Sequence, residues 1–345
     1  MKKRRNILAI RLSALGDVAI SAPLVKEYAR CNPSVQFYMM SQPAYRPLFD
    51  GVENLHFIPA DIKKDSPDYC GDRKGLKRLA SQIVNEYKIT DIADIHGVIR
   101  SRTIGLYARL MTFFGIKYRR IDKRRKERKL LCSAENKVLA PITRSQRCME
   151  EVFVRIGLED LGFALKDGVL PAKKKDSQGF RIGVAPFAKH TGKQYPLNLM
   201  EKVIETLSGR ENTEIFLYGG GEKEIALMRQ WAEKYPHTAL ASGKNDLGGE
   251  VSSMASLDVM LSMDSANMHL ASLAGTPVVS IWGATHPFAG FYGWRQDPSN
   301  AVQADLACRP CSVFGKEPCS RGDYACLNMI SPVMVLNKIY EVLHL

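Results

Sequence analysis

The stretch MDSANMHLASLAGTPVVSIWG, residues 263–283, decides the fold class. An apolar run, VMLSM at 259–263, stops at Asp264-Ser265-Ala266-Asn267, and a small-residue helical pattern carrying His269 follows. Gly275-Thr276-Pro277 ends that pattern and a second apolar run, VVSIW, begins. Short unbroken apolar runs on either side of a helix indicate strands covered on both faces, as in a parallel sheet. The stretch is one βαβ unit, with a carboxylate, a hydroxyl, an amide and an imidazole where strand hands over to helix. In such sheets ligands sit beyond the carboxyl ends of the strands, where helix N-termini present free N–H groups. Ser265 and His269, four residues apart, share a helix face. Asp264 stands at or just before the helix start, placed either to cap it or to meet a ligand.

The same alternation extends over the 345 residues. NILAIRL (6–12), VQFYMM (35–40), HFIPA (56–60) and ITDIADI (89–95) read as strands, and GLKRLASQIVNEY (75–87) has helical spacing. A polar stretch, PAKKKDSQGF at 171–180, reads as a linker. A second series follows: FRIGVAP, a helix from Leu197, EIFLYGG, a helix from Glu222 to Tyr235, SLDVMLSM, the small-residue helix and TPVVSIWG. The expected organisation is two α/β domains, 1–172 and 180–330, with a cleft between them as the default site. In the closing segment, 331–345, Ser331 can cap, Pro332 fits the first turn, and Val335, Leu336, Ile339 and Leu343 form an apolar stripe. This helix is a candidate to pack back toward the first domain.

The net charge of +13 is unevenly placed. Residues 1–170 hold 32 Lys and Arg against 19 Asp and Glu, and the rest of the chain holds 17 of each. The densest part is KYRRIDKRRKERK at 117–129, either a solvated loop or a face turned to something anionic. The basic start MKKRRNILAIRLSALGD is interrupted by Arg11 and Asp17, and no run reaches the roughly 18 apolar residues of a membrane span. A cytoplasmic protein is the simplest expectation.

Three more polar stretches follow strands. In SALGD (13–17), Gly16 permits a tight turn, and Asp17 either caps the next helix or points into the cleft; Pro23 leaves the helix start open, with Ser21 a second candidate cap. APFAKHTGKQYP (185–196) places Lys189, His190, Thr191 and Lys193 in a loop suited to phosphate. LYGGGEKE (217–224) suggests a dinucleotide fingerprint, but G-x-G-x-x-G from Gly219 needs glycine where Glu224 stands. An oxidoreductase loses its main support there. A nucleic-acid-binding protein would have to use 117–129, where Tyr118 is the single aromatic and no base-reading motif accompanies it.

IRLSALGDVAISAP, the K-x-Y-P element at 193–196 and the opening stretch together resemble the ADP-heptose:lipopolysaccharide heptosyltransferases, glycosyltransferase family nine. The resemblance is collinear from about residue 7 to 335. It implies the GT-B fold, two Rossmann-like domains with parallel sheets facing across a central cleft. It implies an inverting glycosyltransferase that moves a heptose or related sugar from an ADP-sugar to the lipopolysaccharide inner core. Acceptor would bind the first domain and donor the second. By the same resemblance Asp17 is the general base, and Lys193, Glu222, Asp264, Ser265, Ala266 and His269 hold the donor. Ser13, Arg100, Arg125 and Lys126 are the acceptor-side candidates, for a lipid-linked saccharide bearing phosphates and carboxylates at an anionic membrane surface. The family commonly has tryptophan where Tyr195 stands, and some members have threonines at Pro186 and Phe187.

No D-x-D sequence occurs, so neither a catalytic metal nor another cofactor is expected. Cys308, Cys311, Cys319 and Cys326, spaced C-x₂-C-x₇-C-x₆-C, admit a structural zinc site, with reduced thiols or disulfides as the alternatives.

Overall fold

Two parallel sheets organise the protein, each with the strand order expected of a doubly wound fold. The structure, a computed structural model, describes residues 5–133, 135, 138–163, 179–243 and 246–345. Most of the expected linker at 171–180 lies outside the described residues. The chain divides into two compact units, Met1–Lys123 with Ser145–Lys166, and Arg124–Arg144 with Asp167–Leu345. The partition differs from a single crossing near 172: the segment from Arg124 to Arg144 groups with the second unit.

In chain order the first unit contains β1 (Asn6–Ile10), α1 (Leu15–Cys31), β2 (Gln36–Ser41), β3 (Leu55–Pro59), α2 (Arg73–Asn85), β4 (Asp91–Asp94), α3 (Ile99–Met111) and β5 (Lys117–Arg120). After β5 comes α4 (Arg125–Leu131), grouped with the second unit, and then α5 (Ser145–Ile156), which returns to the first. The sheet runs β3-β2-β1-β4-β5, all parallel. β1 is buried along its whole length, which is why NILAI is almost unbroken apolar sequence. α2 starts where the Asp72 carboxylate accepts from Gly75 N at 2.7 Å, and it buries Leu76, Leu79, Ala80 and Ile83 at helical spacing. α1 begins at Leu15 and continues through Pro23, while Ser21 Oγ donates to Val18 O rather than capping.

The second unit contains β6 (Phe180–Ala185), α6 (Leu197–Ser208), β7 (Thr213–Leu217), α7 (Glu222–Lys234), β8 (Thr238–Leu240) and α8 (Leu247–Met254). It continues with β9 (Val259–Met263), α9 (Ala266–Leu273), β10 (Val278–Trp282), β11 (Ala301–Gln303), α10 (Ala325–Asn328) and α11 (Pro332–Val342). Its parallel sheet runs β11-β10-β9-β6-β7-β8. β9 and β10, the two runs of the opening stretch, are buried throughout. Ser331 caps α11 by accepting from Met334 N at 3.3 Å. Val335, Leu336 and Ile339 then enter the core formed by β6, β7, β9, β10 and α6. The last helix therefore completes the core of the second unit.

Strand order reverses next to β1 in the first sheet and next to β6 in the second. There, neighbouring strands send their connections to opposite faces and leave a crevice at the carboxyl edge. In the first unit the β4 end is held by Asp94, which is fully buried. Its Oδ1 accepts from His96 N (3.1 Å) and Gly97 N (2.7 Å), its Oδ2 from Ser101 Oγ (3.0 Å) and Tyr118 Oη (2.7 Å). Burial, then the Asp94 charge, pushes the Tyr118 phenol well above its ordinary range. Asp94→Ala would strand four donors in a dry site, and unfolding in urea should show a loss of about 3 kcal/mol or more. A loss below about 1 kcal/mol would mean that water replaces the carboxylate there.

Candidate active site

Beyond the reversal point of the second sheet, the loop after β6 meets the end of β9. Asp264 is 6% exposed. Its carboxylate does not cap α9, because Ser265 occupies the N-cap position. Instead Asp264 Oδ2 pairs with Lys193 Nζ at 2.7 Å and accepts from Thr285 Oγ1 at 2.8 Å. The Ser265 hydroxyl makes no capping bond and lies 3.2 Å from Ser262 Oγ. Ala266 opens α9, and His269 is buried one turn on.

Lys193 ends a tight turn, Thr191–Lys193, that Gln194 clamps from behind. Gln194 Oε1 accepts from Ala188 N, and its Nε2 donates to Pro186 O and Tyr195 O, each at 2.8 Å. Ala284 N donates to Gly192 O at 2.7 Å. A methyl group on Gly192 would come within 2.9 Å of the Ala284 side chain and 3.0 Å of the Gly315 carbonyl, so only glycine fits. Tyr195 is buried and donates to Ile330 O at 2.8 Å, while Phe187 stacks on Trp231. Both side chains serve the core. Glu222 is the first residue of α7 and exposed; Glu224 Oε2 accepts from Gly220 N at 2.8 Å.

Beneath Thr285 and Ala284 lies Arg309, 6% exposed, whose guanidinium donates to Gly283 O, Ala304 O, Trp282 O, Thr285 O and Gln303 Oε1. Four of these five oxygens are backbone carbonyls after β10 and β11, and they fix the turn that supplies Thr285 to Asp264.

In the first unit, Asp17 stands in the first turn of α1 with Ala14, not Asp17, at the N-cap. Its side chain is 36% exposed and pairs with the buried guanidinium of Arg11. Arg11 also donates to Ser13 O at 3.1 Å and Ile95 O at 2.9 Å, joining the ends of β1 and β4. Ser13 is half-buried, and Arg100 near the start of α3 donates to Gly71 O at 3.3 Å. His96 Nδ1 accepts from Leu12 N at 3.2 Å, which leaves its proton on Nε2. Burial first, then the charges of Arg11 and Lys123, pushes the His96 pKa down to about 3. Arg125 and Lys126 are exposed on α4 and so group with the second unit, apart from the other acceptor-side candidates.

Residues 162–319 match the family model of glycosyltransferase family 9 (heptosyltransferase). Over 325 residues the chain is 23% identical to lipopolysaccharide heptosyltransferase 1 of Pseudomonas aeruginosa, covering 89% of this chain and 86% of that protein. The chain is similar to glycosyltransferase family 9. A family 9 structure from Veillonella parvula superposes with a TM-score of 0.72 at 17% identity, covering 100% of this chain and 99% of that one. The Escherichia coli heptosyltransferase WaaC with ADP gives 0.68 at 16% identity, covering 98% and 99%. The fold is GT-B, and the similarities are to glycosyltransferases of the heptosyltransferase type. Neither the nucleic-acid reading nor the oxidoreductase reading is favoured.

The basic run 117–129 is not a single loop. Its start is edge strand β5, its end is α4, and Arg128 is buried with its guanidinium 4.2 Å from the Phe291 ring and a bond to Ala289 O. Cys308, Cys311, Cys319 and Cys326 line a common pocket with Arg309 and Arg321. Among the described residues no group of three or more His, Cys, Asp or Glu side chains is arranged to hold a metal ion. Burial pushes the Cys326 thiol up to about 11.

Three contributors escaped the sequence reading: Gln194, Thr285 and Arg309. Gln194 and Arg309 each adjoin a residue already singled out, but only the folded loops show what they bind.

The depressed His96 pKa has a pH consequence. The unfolded chain binds a proton at this histidine below its ordinary value of 6.5, whereas the folded chain does not until about 3. Stability should therefore fall as pH drops through that window, by up to about 1.4 kcal/mol per pH unit from this group. Urea midpoints across acid pH should show a shallower slope for His96→Gln. Some slope should remain from His286, which burial pushes down to about 4. An unchanged slope would place the acid sensitivity in other groups.

Proposed function

We propose that this chain transfers heptose, or a closely related sugar, from an ADP-sugar to the lipopolysaccharide inner core with inversion. The observation that carries the donor half is the Lys193–Asp264 pair at the reversal point of the second sheet, inside the segment matched by the family model. Lys193 and the N-terminus of α9 at Ser265 are assigned to the diphosphate, Asp264 to the sugar and Glu222 to the nucleoside. ADP is the nucleotide named in the WaaC structure, which supports this donor class. The acceptor half rests on Asp17, half-exposed and oriented by Arg11 at the other reversal point. The reading places the enzyme in the cytoplasm, at an anionic membrane surface where a lipid-linked saccharide lies.

In the reaction the acceptor oxygen attacks the anomeric carbon while Asp17 takes the hydroxyl proton. The bond from that carbon to the ADP oxygen breaks, and ADP leaves with the electron pair. Lys193 and the α9 dipole offset the charge that grows on the diphosphate. These groups supply the stabilisation without a metal, so transfer should persist in EDTA.

Asp17→Asn keeps the shape of the side chain and removes the base. Transfer measured by mass spectrometry of the product should fall by about 10²–10⁴-fold, with ADP-heptose affinity unchanged. Near-normal turnover would leave Asp17 only the role of organising Arg11. Asp264→Ala should weaken ADP-heptose binding more than ADP binding in calorimetric titrations, since the carboxylate is assigned to the sugar. Equal losses for both ligands would make Asp264 a support for Lys193 alone.

A further inference from the structure

We propose that the outward face of α3, together with the turn that follows it, is a docking surface that inserts into an anionic lipid bilayer. α3 is apolar on two opposite sides. Ser101, Ile104, Gly105 and Ala108 face the unit's interior, with Gly105 admitting the Tyr118 ring. Ile99, Leu106 and Leu110, spaced by seven and four residues, form a stripe on the other side. Ile99 is 80% exposed, and both leucines are about half exposed. Core packing accounts for the first face and leaves the second unexplained.

The stripe continues beyond the helix into Thr112-Phe113-Phe114-Gly115. Phe113 is 95% exposed and Phe114 about half exposed. Both adopt left-handed backbone, φ +48 and +64, in the turn closing α3, where glycine or asparagine is usual. Phe113 at the tip is almost wholly exposed, and such an aromatic pair suits insertion into an apolar phase.

The charges identify the occupant. From residue 95 to 121 there are five Arg, one Lys and no Asp or Glu. Arg102 is exposed beside the stripe, and the Arg109 guanidinium lies 4.8 Å from the Phe114 ring. An apolar stripe flanked by arginines matches acyl chains beneath anionic headgroups. A second copy meeting this face across a two-fold axis would oppose arginine to arginine. The inference deepens the reading of a lipid-linked acceptor, and its test is independent of transfer.

The probe is sedimentation with vesicles of phosphatidylcholine, with and without phosphatidylglycerol, in the absence of donor and acceptor. The parent should bind the phosphatidylglycerol vesicles, less so as salt rises. Leu110→Gln/Phe113→Ser/Phe114→Ser should bind at least tenfold more weakly, about 1.4 kcal/mol at 25 °C, with an unchanged thermal melt. It should still glycosylate a delipidated, water-soluble acceptor at the parent rate, which separates this inference from the proposed reaction. Phe113→Trp keeps an aromatic at the tip and should show blue-shifted emission, relative to the parent, when the anionic vesicles are added. Vesicle binding by the triple variant equal to the parent's, or unshifted Phe113→Trp emission, would overturn the proposal. So would a parent dimer that the triple variant dissolves, which would assign the face to a second copy.

Discussion

The Lys193–Asp264 ion pair ties the loop after β6 to the end of β9, where strand order reverses in the second sheet. Both side chains are largely withdrawn from water, and a buried charge without a partner is expensive. Everything nearby follows from keeping that pair satisfied. Thr285 supplies a further bond to the carboxylate, and Arg309 fixes the turn that carries Thr285. Gln194 and Gly192 hold the lysine's own turn in place. The pair also leaves the N-cap of α9 to Ser265, so the carboxylate is not spent on the helix.

The first unit repeats the arrangement with a different balance. There an arginine just after β1 meets an aspartate in the helix that follows the same strand, at the corresponding point of the sheet. The exposures differ: the Asp17 side chain is 36% exposed and that of Asp264 is 5%. A group that must exchange a proton with an incoming hydroxyl needs access. One that orients a sugar within a fixed pocket benefits from rigidity. For the roles proposed above, the fold supplies both by letting Asp17 sit within a helical turn and Asp264 before one. His96, neutral and bonded to Leu12 N, adds a fixed hydrogen-bonding surface beside Asp17 without another charge.

Much of this was legible before any coordinates. β9, α9 and β10 follow from apolar runs and a small-residue helix, because strands buried on both faces leave few polar positions to confuse the reading. Asp17, Lys193 and Asp264 stood out as charges at predicted strand ends. The capping ambiguity at Asp17 and Asp264 was not soluble from sequence, since it turns on which residue takes extended backbone at the helix entry. The run 117–129 misled because charge density suggests exposure, whereas Arg128 is buried against an aromatic ring. Arg309 was invisible for the same reason: its partners are carbonyl oxygens, which every residue has.

Glu224, the residue that spoils the dinucleotide fingerprint, has its carboxylate on the Gly220 amide. The glycine turn therefore carries a tethered anion of its own. A free phosphate arriving at that amide would have to displace a covalently attached competitor, present at high effective concentration and already paid for in folding. Specificity at this edge of the sheet is thus enforced by occupancy. Under the proposed donor assignment, the diphosphate is turned away from the glycine turn after β7 and left to the lysine side, one strand over, by charge alone.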